Sequence, residues 1–453
     1  MSLPDFSKAN ILVIGDVILD RYMNGDVNRT SPEAPVPVML FKNEHHTIGG
    51  AANVAHNASS LGVTTKLFGL IGNDPNGRTV ESRCNECGIE AELQIVGFPT
   101  ITKTRVVANG QQIVRIDQEE TIKIEQEEEG EFVRLIKDQA KGVGAIILSD
   151  YGKGTLSDGI IRKVKAFCLE MELPLFIDPK GMNWEKYRGA FLLSPNLKEL
   201  SEAFGELLPN EDKAVEKAAQ SIRQKLNLTN LLVTRSSKGM TLVNESGAVH
   251  FKAKSREVFD VSGAGDTVMA VMASAYSAGS DLNSAVEVAN TAAGIVIGKL
   301  GTATVSLEEL KAAKTPSNDS QSNPKKSVVF TNGCFDVLHA GHVKLLQEAK
   351  SLGTELVVGL NSDASVARLK GHNRPVNKLE DRVAVLSALS SVDRVIVFEE
   401  DTPERLLSEL KPEILVKGSD YQEHEVVGRE HAGKVVLVDL LPGRSTTGIL
   451  SKS

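Results

Sequence analysis

Short apolar runs recur along the chain, and most close on Gly, Asp, Ser, Pro or Asn before a longer amphipathic stretch begins. They include Ile11–Ile14, Leu67–Ile71, Ala145–Leu148, Leu175–Ile177, Phe191–Leu193 and Leu231–Val233. They resume with Val328–Phe330, Leu356–Val358, Val395–Phe398, Ile414–Val416 and Val435–Val438. A run that is apolar throughout, rather than at alternate positions, reads as a strand buried on both faces. With helix-like stretches between the runs, the pattern predicts parallel strands and crossover helices. Ligands are then expected beyond the carboxyl ends of the strands. One segment breaks the pattern. Residues 102–115 read TKTRVVANGQQIVR, and Asn109-Gly110 supplies the positive φ angles of a type I′ turn, which predicts a β-hairpin. With the Pro-punctuated stretch 21–38 it is expected to form a small sheet beside the main one.

Between the two sets of runs lies 315–327, TPSNDSQSNPKKS, which has no hydrophobic residue and cannot join a core. The expected division is therefore a domain over 1–314, a linker over 315–327 and a smaller domain over 328–453. With 453 residues, 41% of them hydrophobic and 24% charged, each part can bury a core, and disorder is excluded as the main state. The balance of 51 basic and 59 acidic residues, a net charge of −8, argues against a partner such as nucleic acid or an anionic membrane. No apolar run approaches the roughly 18 residues of a membrane span. Ile11–Ile14 leads straight into Gly15-Asp16, with no basic-then-apolar signal segment before it. Cys84, Cys87, Cys168 and Cys334 are too few for a disulfide framework. A soluble, cytoplasmic protein is expected. The acidic stretch 119–131 reads as a solvated helix face or loop.

The chemistry of the first part centres on Phe259-Asp260-Val261-Ser262-Gly263-Ala264-Gly265-Asp266-Thr267. Small residues let backbone approach a phosphate, and a following helix aims its free N–H groups at that anion. Asp266 falls at the helix start, where a carboxylate beside a phosphate pocket suits proton abstraction from an attacking hydroxyl. Taken alone, the motif reads equally as a Gly-rich turn with an Asp cap. Other motifs change the weighing: Asp16 after the first strand, Gly49-Gly50-Ala51-Ala52-Asn53, Ser194-Pro195-Asn196-Leu197-Lys198-Glu199, and Thr234-Arg235-Ser236-Ser237-Lys238-Gly239. In this order the set resembles the ribokinase-like (PfkB) sugar kinases over most of 10–305. Val261 and Ser262 depart from the two threonines common in that family, which affects packing or a cation-lining group more than the anion hole.

That resemblance implies an α/β/α kinase domain with a small β lid, acting with ATP on a sugar or sugar phosphate. Asp266 matches the catalytic base, and Gly263, Ala264 and Gly265 match the anion hole. Asn196 and Glu199 match the pair that organises Mg²⁺ through waters, with no direct protein ligand. Asn196, Leu197, Lys198, Glu199, Thr234, Ser236 and Gly239 are implied along ATP. Asp16, Gly49, Gly50, Asn53 and Arg105 are implied at the sugar. The hairpin would be the lid, whose closure excludes water as a competing acceptor. A monovalent cation near the anion hole is also implied, although no residue singles it out. Two look-alikes are set aside. Gly72 to Thr79 nearly spells a phosphate-binding P-loop, but Arg78 stands where a compact lysine is required. Cys84 and Cys87 form a lone CxxC without a second ligand pair, so a structural role is expected.

In the second part, Thr331-Asn332-Gly333-Cys334-Phe335-Asp336-Val337-Leu338-His339-Ala340-Gly341-His342 follows a strand and opens a helix. His339 and His342 can both face one phosphate, with helix-start N–H groups behind them, and stabilise charge developing there. The segment resembles the HxGH motif of cytidylyltransferase-like nucleotidyltransferases, from about 328 to 447, and implies a Rossmann-like domain. Lys344 matches a phosphate-binding lysine, and Arg444-Ser445-Thr446-Thr447 the late triphosphate-binding turn. Lys417-Gly418-Ser419-Asp420-Tyr421 and Asn373-Arg374-Pro375-Val376-Asn377 look like loops near the base and acceptor phosphate. Asn332, Gly333, Phe335 and Lys417 are implied at the nucleotide, while Cys334 reads as a small packed residue. The implied reaction is attack by a sugar phosphate on the α-phosphate of a nucleoside triphosphate, with pyrophosphate released and no covalent enzyme intermediate.

A sugar kinase joined to a nucleotidyltransferase suggests two steps toward one activated sugar. The order of the parts, with DVILDRYMNGDVNRTSPEAPVPV and NRPVN, resembles the bifunctional heptose 7-phosphate kinase/heptose 1-phosphate adenylyltransferases. It implies C1 phosphorylation of D-glycero-β-D-manno-heptose 7-phosphate, then ADP-heptose formation for the lipopolysaccharide core. No Asp-x-Asp-x-Thr phosphatase motif occurs, so a separate phosphatase partner must remove the 7-phosphate between these steps. A homodimer through the first part is implied as well. Three alternatives compete: a sugar kinase–cytidylyltransferase fusion using CTP, a riboflavin kinase/FAD synthase-like fusion, and a non-catalytic ligand sensor. The second lacks a Gly-Ala-Gly-Asp helix start, and the third would be expected to have lost Asp266 or a motif histidine.

Overall fold

Ile11, Leu12, Val13 and Ile14 are all fully buried, because the strand they form is covered on both sides. The computed structural model describes residues 3–108, 111–254, 261–299, 301–314, 327–371, 373–389, 391–419, 424 and 426–438. The chain divides into two compact units, Met1–Pro316 and Ser317–Ser453. The expected linker, apart from Ser327, and the Asn109-Gly110 turn lie outside the described residues.

Strands are numbered along the chain. In the first unit, β1 (Asn10–Gly15), β4 (Thr64–Gly72), β5 (Glu90–Val96), β8 (Ala145–Ser149), β9 (Leu175–Asp178), β10 (Leu192–Leu193), β11 (Asn230–Thr234), β12 (Met240–Asn244) and β13 (Gly247–Phe251) form one sheet. Its order is β13-β12-β11-β10-β9-β8-β1-β4-β5, parallel except at β12 and β13. Alternation along the strands sorts side chains into two cores. Ile11, Val13, Ala145, Ile147 and Phe176 enter one, and Leu12, Ile14, Ile146, Leu148, Leu175 and Ile177 enter the other. Each such aliphatic or aromatic side chain contributes roughly 1.5–3 kcal/mol on burial. β5, β12 and β13 were not among the continuous runs. The outer two, β5 and β13, are edge strands that leave residues such as Ile95 and Val249 exposed.

A second sheet has the order β3-β2-β6-β7, from β2 (Val17–Thr30), β3 (Pro37–Gly50), β6 (Thr102–Ala108) and β7 (Gln111–Gln118). β2 and β3 are antiparallel, β6 runs parallel to β2, and β6 and β7 pair antiparallel as the hairpin arms. Asp16 alone separates β1 from β2, and β3 ends where the helix Ala51–Ser59 begins. The register sets Lys103 and Arg105 of β6 level with Asp20 and Tyr22 of β2. Within the acidic stretch, the helix Gln126–Gln139 begins with a capping box between Glu125 and Glu128 and buries Phe132, Val133 and Ile136. Its acids face water except Glu129, which accepts from Ser157 Oγ and pairs with Lys163 at 3.2 Å.

The second unit holds β14 (Val328–Gly333), β15 (Glu355–Asn361), β16 (Arg394–Phe398), β17 (Ile414–Gly418) and β18 (Lys434–Val438), all parallel, in the order β16-β15-β14-β17-β18. Strand order reverses at β14, which opens a crevice at its carboxyl end. Val329, Val358 and Val416 pack on one side of this sheet, and Phe330, Val357 and Leu415 on the other. Among the described residues, no helix is long and apolar enough to cross a membrane.

Candidate active sites

The helix Ala264–Ser277 starts from Gly263, whose φ of +77° suits glycine and whose position leaves no room for a side chain. A Cβ there would stand 2.9 Å from Asn53 Nδ2. Space beside Gly265 is open, as close approach of a phosphate requires. Phe259 and Asp260 lie outside the described residues. Asp266 occupies the first helical turn and is 5% exposed. Its Oδ2 accepts a hydrogen bond from Asn53 Nδ2 at 2.7 Å, and its Oδ1 accepts one from the Tyr151 hydroxyl at 2.8 Å. Burial pushes its pKa up to about 6, aided by the charge of Asp20 and opposed by both donors and Lys103. Thr267 Oγ1 donates to Asn57 Oδ1 at 2.8 Å, fastening this helix to Ala51–Ser59.

Asp16 is fully buried, and its carboxylate accepts the backbone N–H groups of Tyr151, Lys153 and Thr155 at 2.9–3.0 Å. It shapes the loop after β8. Asp20, four residues on, is the carboxylate whose charge reaches Asp266, and it pairs with Arg105 Nη1 at 2.5 Å. A Cβ on Gly49 would stand 2.5 Å from Asp20 Oδ2, so glycine here permits a close approach. Gly50 caps the helix that carries Asn53. Asp20 and Tyr151 were missed in the sequence, although Tyr151 lies just beyond the carboxyl end of β8, where ligands were expected.

Asn196 and Glu199 form a reciprocal capping box at the helix Leu197–Phe204, with bonds of 3.0 and 2.9 Å. Glu199 Oε1 faces Lys180 Nζ at 3.6 Å, outside the box. Leu197 packs on the core, while Lys198 is exposed and pairs with Glu202 at 3.8 Å. Asn196 bridges to Thr234 across the strand ends, which brings the two nucleotide-side motifs together. From Thr234 the chain turns tightly: Arg235 N–H donates to Gly239 C=O at 2.8 Å, with Ser236 at φ +53°. Arg235 is buried, donating to Asn210, Asp212 and Thr241. Of the look-alikes, Asp74 caps the helix Pro75–Glu86 and accepts from Gly77 and Thr100, a structural turn. Cys84 is buried, which pushes its thiol up to about 12.

In the second unit His339 caps the helix Ala340–Ser351, and its ring stacks on His342 with centroids 3.9 Å apart. Burial, then the charge of His339, drives the His342 pKa down to about 4. Phe335, at φ +41°, sets its ring 5.1 Å from that of His342, and a Cβ on Gly333 would touch it. Thr331 Oγ1, Asn332 Oδ1 and His342 Nδ1 are buried without hydrogen-bond partners among the described residues, which gathers polar atoms beside the motif. Lys344 pairs with Glu348 at 3.4 Å, and Lys417 Nζ lies 3.5 Å from the Asn332 carbonyl. Asp336 of the motif gathers the 373–377 loop: Arg374 pairs with it at 2.6 Å, and Val376 and Asn377 N–H donate to it. Arg382 is buried and donates to the carbonyls of Asn377, Cys334 and Asn361 and to Asp363. Neither Asp336 nor Arg382 was expected from the sequence. Arg444, Ser445, Thr446, Thr447, Asp420 and Tyr421 lie outside the described residues.

Residues 8–310 match the pfkB family carbohydrate kinases, and residues 330–438 match the cytidylyltransferase-like family. A protein of Granulibacter bethesdensis called bifunctional protein HldE is 44% identical, covering 99% of both chains. Its namesake in Hahella chejuensis is 45% identical over 100% of this chain and 98% of its own. This chain belongs to the HldE family of bifunctional proteins. As an HldE-family member it is a bifunctional enzyme, a carbohydrate kinase followed by a nucleotidyltransferase. Solved structures agree on the fold of the kinase part. Arabidopsis thaliana ribokinase complexed with ribose and ATP gives a TM-score of 0.53 at 21% identity, covering 69% of this chain and 99% of its own. Escherichia coli phosphofructokinase-2 in complex with potassium gives 0.57 at 16%, covering 67% and 97%.

Proposed function

We propose that the first unit transfers the γ-phosphoryl group of ATP to C1 of D-glycero-β-D-manno-heptose 7-phosphate. The second unit then adenylylates heptose 1-phosphate with ATP, giving ADP-heptose and pyrophosphate for the lipopolysaccharide core. The observation that carries the kinase assignment is Asp266, a buried carboxylate at a glycine-led helix start with its basicity raised toward neutrality. It takes the acceptor proton while Gly263, Ala264 and Gly265 hold the phosphoryl oxygens. Asp20 and Arg105, with Gly49, Gly50 and Asn53, face the sugar phosphate. Thr234, Ser236 and Gly239 run along the nucleotide. In the second unit His339, His342 and Lys344 neutralise the triphosphate, joined by Asn332, Lys417, Arg444, Ser445, Thr446 and Thr447.

Mg²⁺ supplies charge neutralisation on the phosphates. The capping box leaves one Glu199 oxygen outside it, a donor set that fits Mg²⁺ held through its waters rather than in an all-protein cage. A monovalent cation beside the anion hole is part of the reading, in line with the potassium complex of the phosphofructokinase. Val114 and Ile116 leave an exposed apolar strip on β7, which supports a homodimer through the small sheet. The enzyme works in the cytoplasm, and a separate phosphatase acts between its two steps. The test is phosphate and pyrophosphate release across a panel of sugar phosphates and nucleotides. Heptose 7-phosphate should be the best kinase acceptor, and ATP should support pyrophosphate release with heptose 1-phosphate. Release with CTP but not ATP would overturn the adenylyl assignment.

A further inference from the structure

Both oxygens of Asp266 are already engaged: Asn53 Nδ2 donates to one at 2.7 Å, and the Tyr151 hydroxyl to the other at 2.8 Å. Each oxygen can accept a further hydrogen bond, but Asp266 is only 5% exposed, so an acceptor hydroxyl reaches the carboxylate by taking the place of a donor now covering it. The two donors differ in freedom. Asn53 is buried in the first turn of its helix, and Asn57 Nδ2 donates both to its side-chain oxygen and to its carbonyl. Tyr151 is only partly buried, on the loop after β8, with Lys103 Nζ 5.9 Å from its ring centroid. The backbone N–H groups of Tyr151, Lys153 and Thr155 are held by Asp16, so a turn of the Tyr151 side chain leaves these loop bonds in place.

We infer that Tyr151 is a displaceable cap on Asp266, whose hydroxyl occupies the carboxylate oxygen that the acceptor hydroxyl of the sugar phosphate takes over. This rests on the reading of Asp266 as the base. Burial holds the Tyr151 phenol well above its ordinary pKa, so it donates to Asp266 and does not accept the substrate proton. When the acceptor displaces it, the acceptor oxygen bonds to the γ-phosphorus and its proton passes to Asp266. The bond from that phosphorus to the bridging oxygen breaks, and the electron pair leaves with ADP. Water in the acceptor's place would give inorganic phosphate and ADP by the same step. A capped base denies water that route until an acceptor arrives. Tyr151 is thus a positioning residue that separates transfer from wasteful hydrolysis.

The test is Tyr151→Phe in the full chain. The charges facing Asp266 are Asp20 from β2, Lys103 from β6 and Asp178 from the end of β9, and this change leaves all three in place. ATP hydrolysis without sugar phosphate should rise about tenfold, the factor carried by one hydrogen bond to a charged group. The acid limb of kinase kcat/KM should move up by about one pH unit, because a donor that favoured the carboxylate is gone. Tyr151→His, which keeps a ring N–H donor, should fall between wild type and Tyr151→Phe in both readouts, and the result is read on whichever variant keeps the wild-type melting transition. Unchanged hydrolysis with an unchanged acid limb would overturn the proposal. Asp266→Asn separates the two failures: if it retains kinase activity the base assignment falls, whereas if it is inactive and Tyr151→Phe changes nothing only the cap falls.

Discussion

Asp266 in the first unit is buried and His342 in the second half-buried, each beside a helix start, and loss of water is the leading influence on both. It pushes the carboxylate up to about 6 and the imidazole down to about 4. The same physical agent, loss of water around a charge, makes one group a better base and keeps the other neutral. The reactions call for that difference. An alcohol must lose its proton to attack phosphorus, so the kinase needs a carboxylate basic enough to take it. A sugar phosphate attacks as an anion already, so the second site needs donors rather than a base. With His342 neutral, its ring can stack 3.9 Å from that of His339 without charge repulsion between the two.

The largest effects come from removing each group. Asp266→Asn should lower kinase kcat by 10²- to 10⁴-fold, the usual share of a general base, with nucleotidyl transfer unchanged. His342→Ala should do the reverse, losing about 10²- to 10³-fold in pyrophosphate release. Loss of both activities from either change would break the picture of two independent sites. Next is the support beneath each motif. Asp266 is held by a neutral amide and a hydroxyl, whereas the histidine motif rests on the buried Arg382. Arg382→Met should lower the unfolding free energy of the second unit by roughly 3–5 kcal/mol, because buried carbonyls lose their donor. Denaturant titration followed by activity of each site would read it, with the kinase transition unmoved.

A smaller effect of opposite sign belongs to Asp266 itself. Its folded pKa lies above the unfolded value, so its contribution to stability is present below about pH 4 and is lost as pH rises through about 6. Asp266→Asn should therefore stabilise the first unit by about 2–3 kcal/mol at pH 7, with no gain at pH 4. Trp184, the single tryptophan, reports on this unit by fluorescence. The mildest test is the pH profile. Kinase kcat/KM should fall tenfold per unit below about pH 6 as Asp266 takes up a proton, while nucleotidyl transfer stays level between about 5 and 8, since His342 is already neutral there. A shared acid limb near 6 would remove the contrast.

The continuous apolar runs gave the central strands of the main sheet in each unit, because a strand covered on both faces has no polar positions to confuse the pattern. β5 escaped notice, since Glu90, Glu92 and Gln94 alternate with its apolar residues at a sheet edge. Gly263 and Asp266, like His339 and His342, were legible because each set sits within one helix start. Tyr151 was not, because it meets Asp266 across 115 residues of chain. Asp16 and Asp20 show the limit most plainly. Both follow the first strand and both are acidic, and only the fold separates them: a loop closes over Asp16, whereas Asp20 pairs with Arg105 and carries its charge toward Asp266.

That loop also fixes how the small sheet can move. One of its legs leaves β1 through Asp16, and another re-enters the core at Gly50, where the N–H of Ala51 donates to the Asp16 carbonyl at 2.9 Å. The two legs share one fulcrum. A sheet moored this way pivots near Asp20 and Gly49, while farther out the register shifts of β2 at Asn24/Gly25 and Val27/Arg29 are places where it bends. Contact at the tip would thus be partly absorbed at those shifts before it reached Asp20 and Gly49.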